Sequence, residues 1–338
     1  MIEDSPATVA DRIDPVRDWS MRRTYRAADF DAAHLVAAKA GRRISVVLPA
    51  RNEESTVGTI VTALRTELME RCPLIDELVV VDSHSTDSTA TVAAAAGARV
   101  VAQGEILPAL GDVPGKGEAL WKSLAATDGD LVVFLDSDLR EFDPGFAVGL
   151  LGPLLTEPGV VFCKGAFDRP LDDGRTILPA GGGRVTELVA RPLLATHWPA
   201  LTGFIQPLGG EYAGTRDALE AIPFAGAYGV DIGILIDLYE RYGLDALAQT
   251  DLGRRVHRNS PDSALAVMAM HQHLAVLERL RRHGRMVARG GGPGHDDDDE
   301  PGDTLTLHRR DAVTGEFVSE SVRVAPGERP PMREVRTG

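Results

Sequence analysis

From Arg43 onward, short unbroken apolar runs alternate with longer amphipathic ones. RISVVLP reads as a buried strand, RNEESTVGTIVTALRTELME as a helix with a polar start, DELVVVDSHS as a second strand, and DSTATVAAAAGA as a helix closed by Gly97. A third short strand, ARVVAQG, leads into the glycine-rich loop GDVPGKGEALWKSLAATDGD, which carries its own helix, and then into the strongest strand, LVVFLDSD. Continuous apolar strands separated by helices predict an α/β fold with a mainly parallel sheet covered on both faces. Beyond Leu139 the rhythm loosens into a strand-like GVVFCKGAF, a loop PAGGGRVTEL, the segment QPLGGEYAGTRDAL and an amphipathic helix GVDIGILIDLYERYG.

The flanks differ in character. Residues 1–42 read as an N-terminal arm, polar, with an aromatic and basic patch from Asp18 to Arg26 and a helical stretch ending at Gly41. Two halves of one folded unit are expected, 43–140 and 141–285. Residues 286–303, with RGGGPGHDDDDEPGD, are too polar to fold and read as an acidic, Gly-rich disordered linker. The tail, 304–338, alternates weakly around Thr314-Gly315, where a hairpin is expected.

Composition narrows the function. The 338 residues are 43% hydrophobic and carry a net charge of -14, which argues against nucleic acid or an anionic membrane as partner, so any bound phosphate must be held locally. The two cysteines, Cys72 and Cys163, are too few for a disulfide scaffold or a thiolate metal cluster, and a reducing cytoplasm is expected. The opening MIEDSPATVADRID is acidic and without an apolar core segment, and no apolar run approaches the roughly 20 residues that span a bilayer. Neither secretion nor membrane insertion is expected.

The sharpest chemistry is Asp136-Ser137-Asp138, directly after LVVFL. Ligands of open α/β sheets bind at the carboxyl ends of strands, and two carboxylates two residues apart can reach one hard divalent cation whose shell a diphosphate and water complete. Alone, such a triplet is usually only a solvated turn or helix cap. The exit of the first strand, Leu48-Pro49-Ala50-Arg51-Asn52-Glu53-Glu54, offers amides to a nucleotide or merely caps a helix. At the end of the second strand, Asp82 suits a ribose or base, while Ser85, Thr86 and Asp87 suit a helix cap.

Together PARNEE, VDSHSTDST and LDSD at three successive strand ends resemble the nucleotide-sugar-binding half of an A-type (GT-A fold) glycosyltransferase. With PGKGEALWKSLAAT, GGGRVTELVARPLL, QPLGGEYA, YGVDIGIL and VHRN in order, the chain is similar to the glucosyl-3-phosphoglycerate synthases of actinobacteria over about Arg43 to Asn259. The resemblance implies a mainly parallel sheet with a nucleotide-binding half and an acceptor-binding half. It implies a retaining, metal-dependent transfer of glucose from UDP-glucose to the 2-hydroxyl of D-3-phosphoglycerate, the first step of glucosylglycerate and methylglucose lipopolysaccharide synthesis. A homodimer is implied as well.

Residue by residue, the resemblance makes Asp138 and His257 ligands of Mg²⁺ or Mn²⁺, with Asp136 against the donor's ribose and diphosphate. Pro49, Ala50, Glu53 and Ser83 would line the uridine pocket, joined on the donor side by Lys116, Ser137, Tyr228 and Asp231. Gly183, Arg184, Val185, Thr186 and Asn259 would hold the acceptor, with Arg169 adding positive charge, and the backbone at Leu208 would orient the attacking hydroxyl. Asp231 stands where the family pattern has glutamate, and Arg51 where it has an apolar residue. The alternatives are a mannosyl-3-phosphoglycerate synthase using GDP-mannose, a related transferase with another acceptor, and a nucleotide-sugar-binding protein without turnover.

Overall fold

A computed structural model describes residues 14–168, 171–172, 177–178, 183–254, 262–286, 304–310, 317–324 and 327–337. The chain opens with helix α1 (Pro15–Arg23), strand β1 (Thr24–Arg26) and α2 (Ala32–Ala38). There follow β2 (Ile44–Ala50), α3 (Val57–Arg65), β3 (Glu77–Asp82), α4 (Thr89–Ala96), β4 (Arg99–Ala102), α5 (Lys116–Ala126) and β5 (Leu131–Phe134). After α6 (Gly145–Thr156) and β6 (Phe162–Asp168), two short strands, β7 (Leu171–Asp172) and β8 (Ile177–Leu178), pair antiparallel. Then come α7 (Arg191–His197), β9 (Tyr212–Thr215), α8 (Arg216–Glu220), β10 (Phe224–Ala225), α9 (Val230–Tyr242), β11 (Leu247–Arg254) and α10 (Asp262–Arg282).

One eight-stranded sheet runs in the order β1-β11-β6-β9-β5-β2-β3-β4. Every neighbouring pair is parallel except the two made by β9. Alternate side chains feed two apolar layers, as the period of two along a strand requires. Val47, Val79, Phe134 and Tyr212 pack with Trp121 and Trp198 on one face, and Val46, Leu48, Val80 and Val133 pack with Ile60 and Leu150 on the other. In α3 the buried residues Val57, Ile60, Val61 and Leu64 follow the helical spacing and face the second layer.

One feature departs from the sequence reading. The expected arm is part of the sheet: β1 pairs with β11, Trp19 is buried, and its Nε1 donates to the Leu247 carbonyl at 3.0 Å. The two expected halves share one sheet, because β9 from the second bonds to β5 of the first and to β6.

Most of the expected linker, from residue 287, lies outside the described residues, as do residues 1–13. Within the tail, β12 (Thr304–Arg310) and β13 (Phe317–Arg323) pair antiparallel, Thr304 opposite Arg323. Beyond them the chain returns to the sheet's flank as β14 (Glu328–Arg329), antiparallel to β10, and α11 (Met332–Thr337), which buries Met332. Arg329 pairs with the buried Glu118 carboxylate through two bonds of 2.6 and 2.7 Å and lies 5.1 Å from the Trp121 ring centre. Trp121 Nε1 donates to the Pro330 carbonyl at 2.8 Å. Glu328 meets Arg279 and Arg282 of α10, both also paired with Asp237 of α9. A two-residue strand has no periodicity to betray it, so this docking was not readable as pattern.

Candidate active site

The carboxyl ends of β2, β3 and β5 open onto one cavity of about 490 Å³. At the exit of β2, Asn52 adopts a left-handed conformation with φ 59°. It is latched to the β3–α4 loop: the Asn52 amide donates to Ser85 Oγ (3.0 Å), the Glu53 amide to Thr89 Oγ1 (2.8 Å), and the Thr86 amide to Asn52 Oδ1 (2.8 Å). Ser85 and Thr86 therefore tie two loops together rather than capping α4. Asp87 does both, accepting from the amides of Thr89 and Glu54. The latch presents Pro49, Ala50, Arg51 and Glu53 to the cavity together with Ser83, whose hydroxyl donates to Gln103.

After β5, the hydroxyl of Ser137 donates to the Pro49 carbonyl at 2.7 Å and Thr56 Oγ1 donates to the Ser137 carbonyl at 2.6 Å. These bonds turn Asp136 and Asp138 onto the cavity on either side of Ser137. Lys116 opens α5 behind Gly115, whose φ of +129° a side chain rarely adopts and whose missing Cβ would stand 2.9 Å from Ala227 Cα. Its ammonium sits 2.9 Å from Asp136 Oδ1 and 3.2 Å from Asp231 Oδ1. Burial opposes that charge, but Asp136 and Asp231 outweigh it and hold the ammonium more basic than usual. Burial also pushes the Asp231 carboxyl up, against Lys116 and Lys164, while Tyr212 OH donates to its Oδ1 at 3.2 Å.

The same cavity is lined by Gly183, Arg184, Val185 and Thr186, and by Leu208 and Tyr228. The structure thus brings fifteen of the eighteen residues that the resemblance assigns to the site to one cavity; His257, Asn259 and Arg169 lie outside the described residues. Asp82 is not among the lining residues. Leu265, Met268 and Gln272 of α10 complete the lining, and Gln272 reaches the Tyr228 carbonyl. They carry no motif, only helical spacing. Gly210 was also missed: a Cβ there would stand closer than 3.0 Å to both Asp136 oxygens and to Lys116 Nζ.

The donor set suits a hard dication. Glu53 is driven up to about 7, first by burial and then by the charges of Asp138 and Asp136, which marks a concentration of negative charge that a divalent ion would relieve. Among the described residues no three His, Cys, Asp or Glu side chains are grouped as a metal site. No helix among the described residues is long and apolar enough to cross a membrane.

A mainly parallel sheet with an acidic pair at one strand end and a lysine-bridged acid in the cavity is consistent with the GT-A fold of nucleotide-sugar transferases. Residues 45–193 match the model of glycosyl transferase family 2. The chain is 52% identical over 261 residues to a glucosyl-3-phosphoglycerate synthase of Mycolicibacterium smegmatis, covering 77% of this chain and 85% of that protein. It therefore belongs to the glucosyl-3-phosphoglycerate synthase family. Among solved structures, a mannosyl-3-phosphoglycerate synthase from Rubrobacter xylanophilus superposes with a TM-score of 0.86 and 40% identity, covering 94% of this chain and 99% of that one. A glucosyl-3-phosphoglycerate synthase from Mycobacterium tuberculosis in complex with Mn²⁺, UDP-glucose and phosphoglyceric acid gives a TM-score of 0.77 and 43% identity, covering 93% and 99%.

Proposed function

We propose that this protein transfers glucose from UDP-glucose to the 2-hydroxyl of D-3-phosphoglycerate with retention, releasing UDP. The observation that carries the reading is the Lys116–Asp136–Asp231 cluster beside Asp138, in one cavity with Gly183–Thr186. Pro49, Ala50, Glu53 and Ser83 take the uridine, and Asp136 takes the ribose and diphosphate. Asp138, with His257, holds Mg²⁺ or Mn²⁺; when bound, the ion supplies Lewis-acid stabilisation of charge on the leaving diphosphate. Lys116 adds a cation on the donor side, Ser137 holds Asp136 and Asp138 in register, and Tyr228 closes the sugar pocket.

In the same cavity, the amides and hydroxyl of Gly183, Val185 and Thr186 and the Arg184 guanidinium take the acceptor's phosphate and carboxylate, with Asn259. Asp231 is engaged by Lys116 and by Tyr212, which suits an anchor for sugar hydroxyls better than a nucleophile. Attack therefore comes from the leaving group's face, with the acceptor hydroxyl oriented by the Leu208 backbone.

Mannosyl transfer from GDP-mannose is the second reading, favoured by the TM-score of 0.86 with the mannosyl enzyme. A panel of UDP-glucose, GDP-glucose and GDP-mannose with 3-phosphoglycerate, each with and without Mg²⁺, separates the two. Asp138→Ala and His257→Ala are expected to lose metal-dependent transfer while remaining folded; wild-type rates in either would remove the metal assignment. Homodimerisation, to be checked by sedimentation velocity, and a cytoplasmic setting, which the two free thiols Cys72 and Cys163 suit, belong to the same proposal.

A further inference from the structure

Lys164, on β6, is 1% exposed and is not among the residues that line the cavity. It stands opposite Tyr212 in the β6–β9 ladder, its ammonium 4.5 Å from the centre of the tyrosine ring. Nζ donates to the Gly209 carbonyl at 2.8 Å. An ammonium buried this deeply costs several kcal/mol unless its partners offset the lost hydration, and an apolar side chain would fill the space without that cost. A role in holding something is the physical reason to keep it.

What it holds is the wall where donor and acceptor would meet. Gly209 lies between Leu208, which lines the cavity, and Gly210, whose Cα leaves no room for a methyl beside Asp136 and Lys116. A drift of this segment toward the cavity therefore runs into the Asp136 carboxylate. Tyr212 carries the same restraint to the far side, since its OH bonds Asp231. Burial lowers the Lys164 ammonium to about 8; Asp231 works against burial, Lys116 with it, and Glu211 and Asp136 against it. Among its strand neighbours, the facing residues 247–250 of β11 bring no ionisable side chain.

We infer that Lys164 is a positioning residue for the transfer: from behind the cavity wall its ammonium fixes the Leu208–Gly210 backbone and, through Tyr212, the Asp231 carboxylate. The inference rests on the transferase reading for its kinetic consequence and on the geometry alone for its structural one. It deepens the proposed site without adding a group that touches substrate.

The test uses the full chain with Mn²⁺ and whichever nucleotide sugar the wild type turns over. Lys164→Met keeps the stem against Tyr212 and removes the donor. It is expected to lower kcat by about 10- to 100-fold while leaving the Kd for UDP, measured by calorimetry, within about threefold. The decline of wild-type kcat above pH 8 should vanish in the variant. A folded Lys164→Met with wild-type kcat, or one that loses kcat and UDP affinity in equal measure, overturns the positioning role.

Should the methionine variant fail to fold, Lys164→Gln, which retains a neutral donor, is expected to show a smaller kcat loss with the same unchanged UDP affinity; unchanged kcat overturns the inference. If neither variant folds, the wild-type profile decides, a kcat that stays flat from pH 7 to pH 9.5 counting against it. A wild type that turns over no nucleotide sugar refutes the proposed activity instead. Lys164 is then decided by hydrogen exchange, where amides 209–211 should exchange at least about 10-fold faster in a folded variant than in the wild type while neighbouring strand amides do not change. Unchanged protection there overturns it.

Discussion

Gly210→Ala adds one methyl group beside Asp136 and Lys116, which line the cavity. Gly210 is not among the glycines with positive φ, so the backbone accepts alanine without strain. The obstacle is local. The new Cβ would stand closer than 3.0 Å to both carboxylate oxygens of Asp136 and to Lys116 Nζ, whereas ordinary contact begins near 3.4 Å. Asp136 must retreat by something approaching 1 Å, carrying with it the 2.9 Å pair to Lys116. A displacement of that size at a reacting centre costs about 100-fold, or roughly 2.7 kcal/mol in the barrier. Overpacking removes about 1–3 kcal/mol of stability, little enough for the protein to stay folded at assay temperature. Initial rates with UDP-glucose, 3-phosphoglycerate and Mg²⁺, alongside a circular dichroism melt, measure both quantities. A Gly210→Ala enzyme whose kcat/KM stays within about threefold of wild type would refute the reasoning, since it would mean that the position of Asp136 does not matter.

Arg329→Ala leaves the Glu118 carboxylate, 3% exposed, without its two-bond partner, and chemical denaturation should show a loss of about 2–3 kcal/mol, discounted because Arg329 itself is partly exposed. Donor affinity should fall with it, since Glu118 lies in the first turn of the helix that begins at Lys116. Glu53, raised from 4.5 to about 7, binds a proton in the folded protein that the unfolded chain has released in that interval. Its contribution to stability is therefore complete below pH 4.5 and is lost as pH rises to 7, so melts of metal-free protein should show a decline across this window that Glu53→Gln abolishes. Cys163 is fully buried with its thiol pushed up to about 12, so native protein should titrate with a thiol reagent at Cys72 alone and at both cysteines in denaturant.

The central strands were legible because parallel strands buried on both faces need unbroken apolar runs, as in ISVVLPA and LVVF. The cavity's polar rim was legible for a related reason: chain leaving such a strand must change composition abruptly, and Asp136 and Asp138 stand where LVVFL stops. What could not be read was set by distant partners. β1 is three residues long and exists because β11 offers an edge, and β14 is two residues long and exists because β10 does. Lys164 reads as a lone charge in an apolar strand, and nothing around it announces that Gly209 and Tyr212 will converge on it. Gly210 looks like half of a flexible pair, though what matters is its lack of a side chain beside Asp136.

The position of β14 in the chain also fixes an order of events during synthesis. A ribosome extends a chain at about 5–20 residues per second, so the strand that backs Glu118, Trp121 and Gly226 emerges several seconds after β11 has completed the sheet. During that interval the sheet can form while the helix headed by Lys116 lacks its outer brace. Affinity of a nascent chain for nucleotide sugar should therefore rise late, once residues 327–337 have emerged and Arg329 can pair with Glu118.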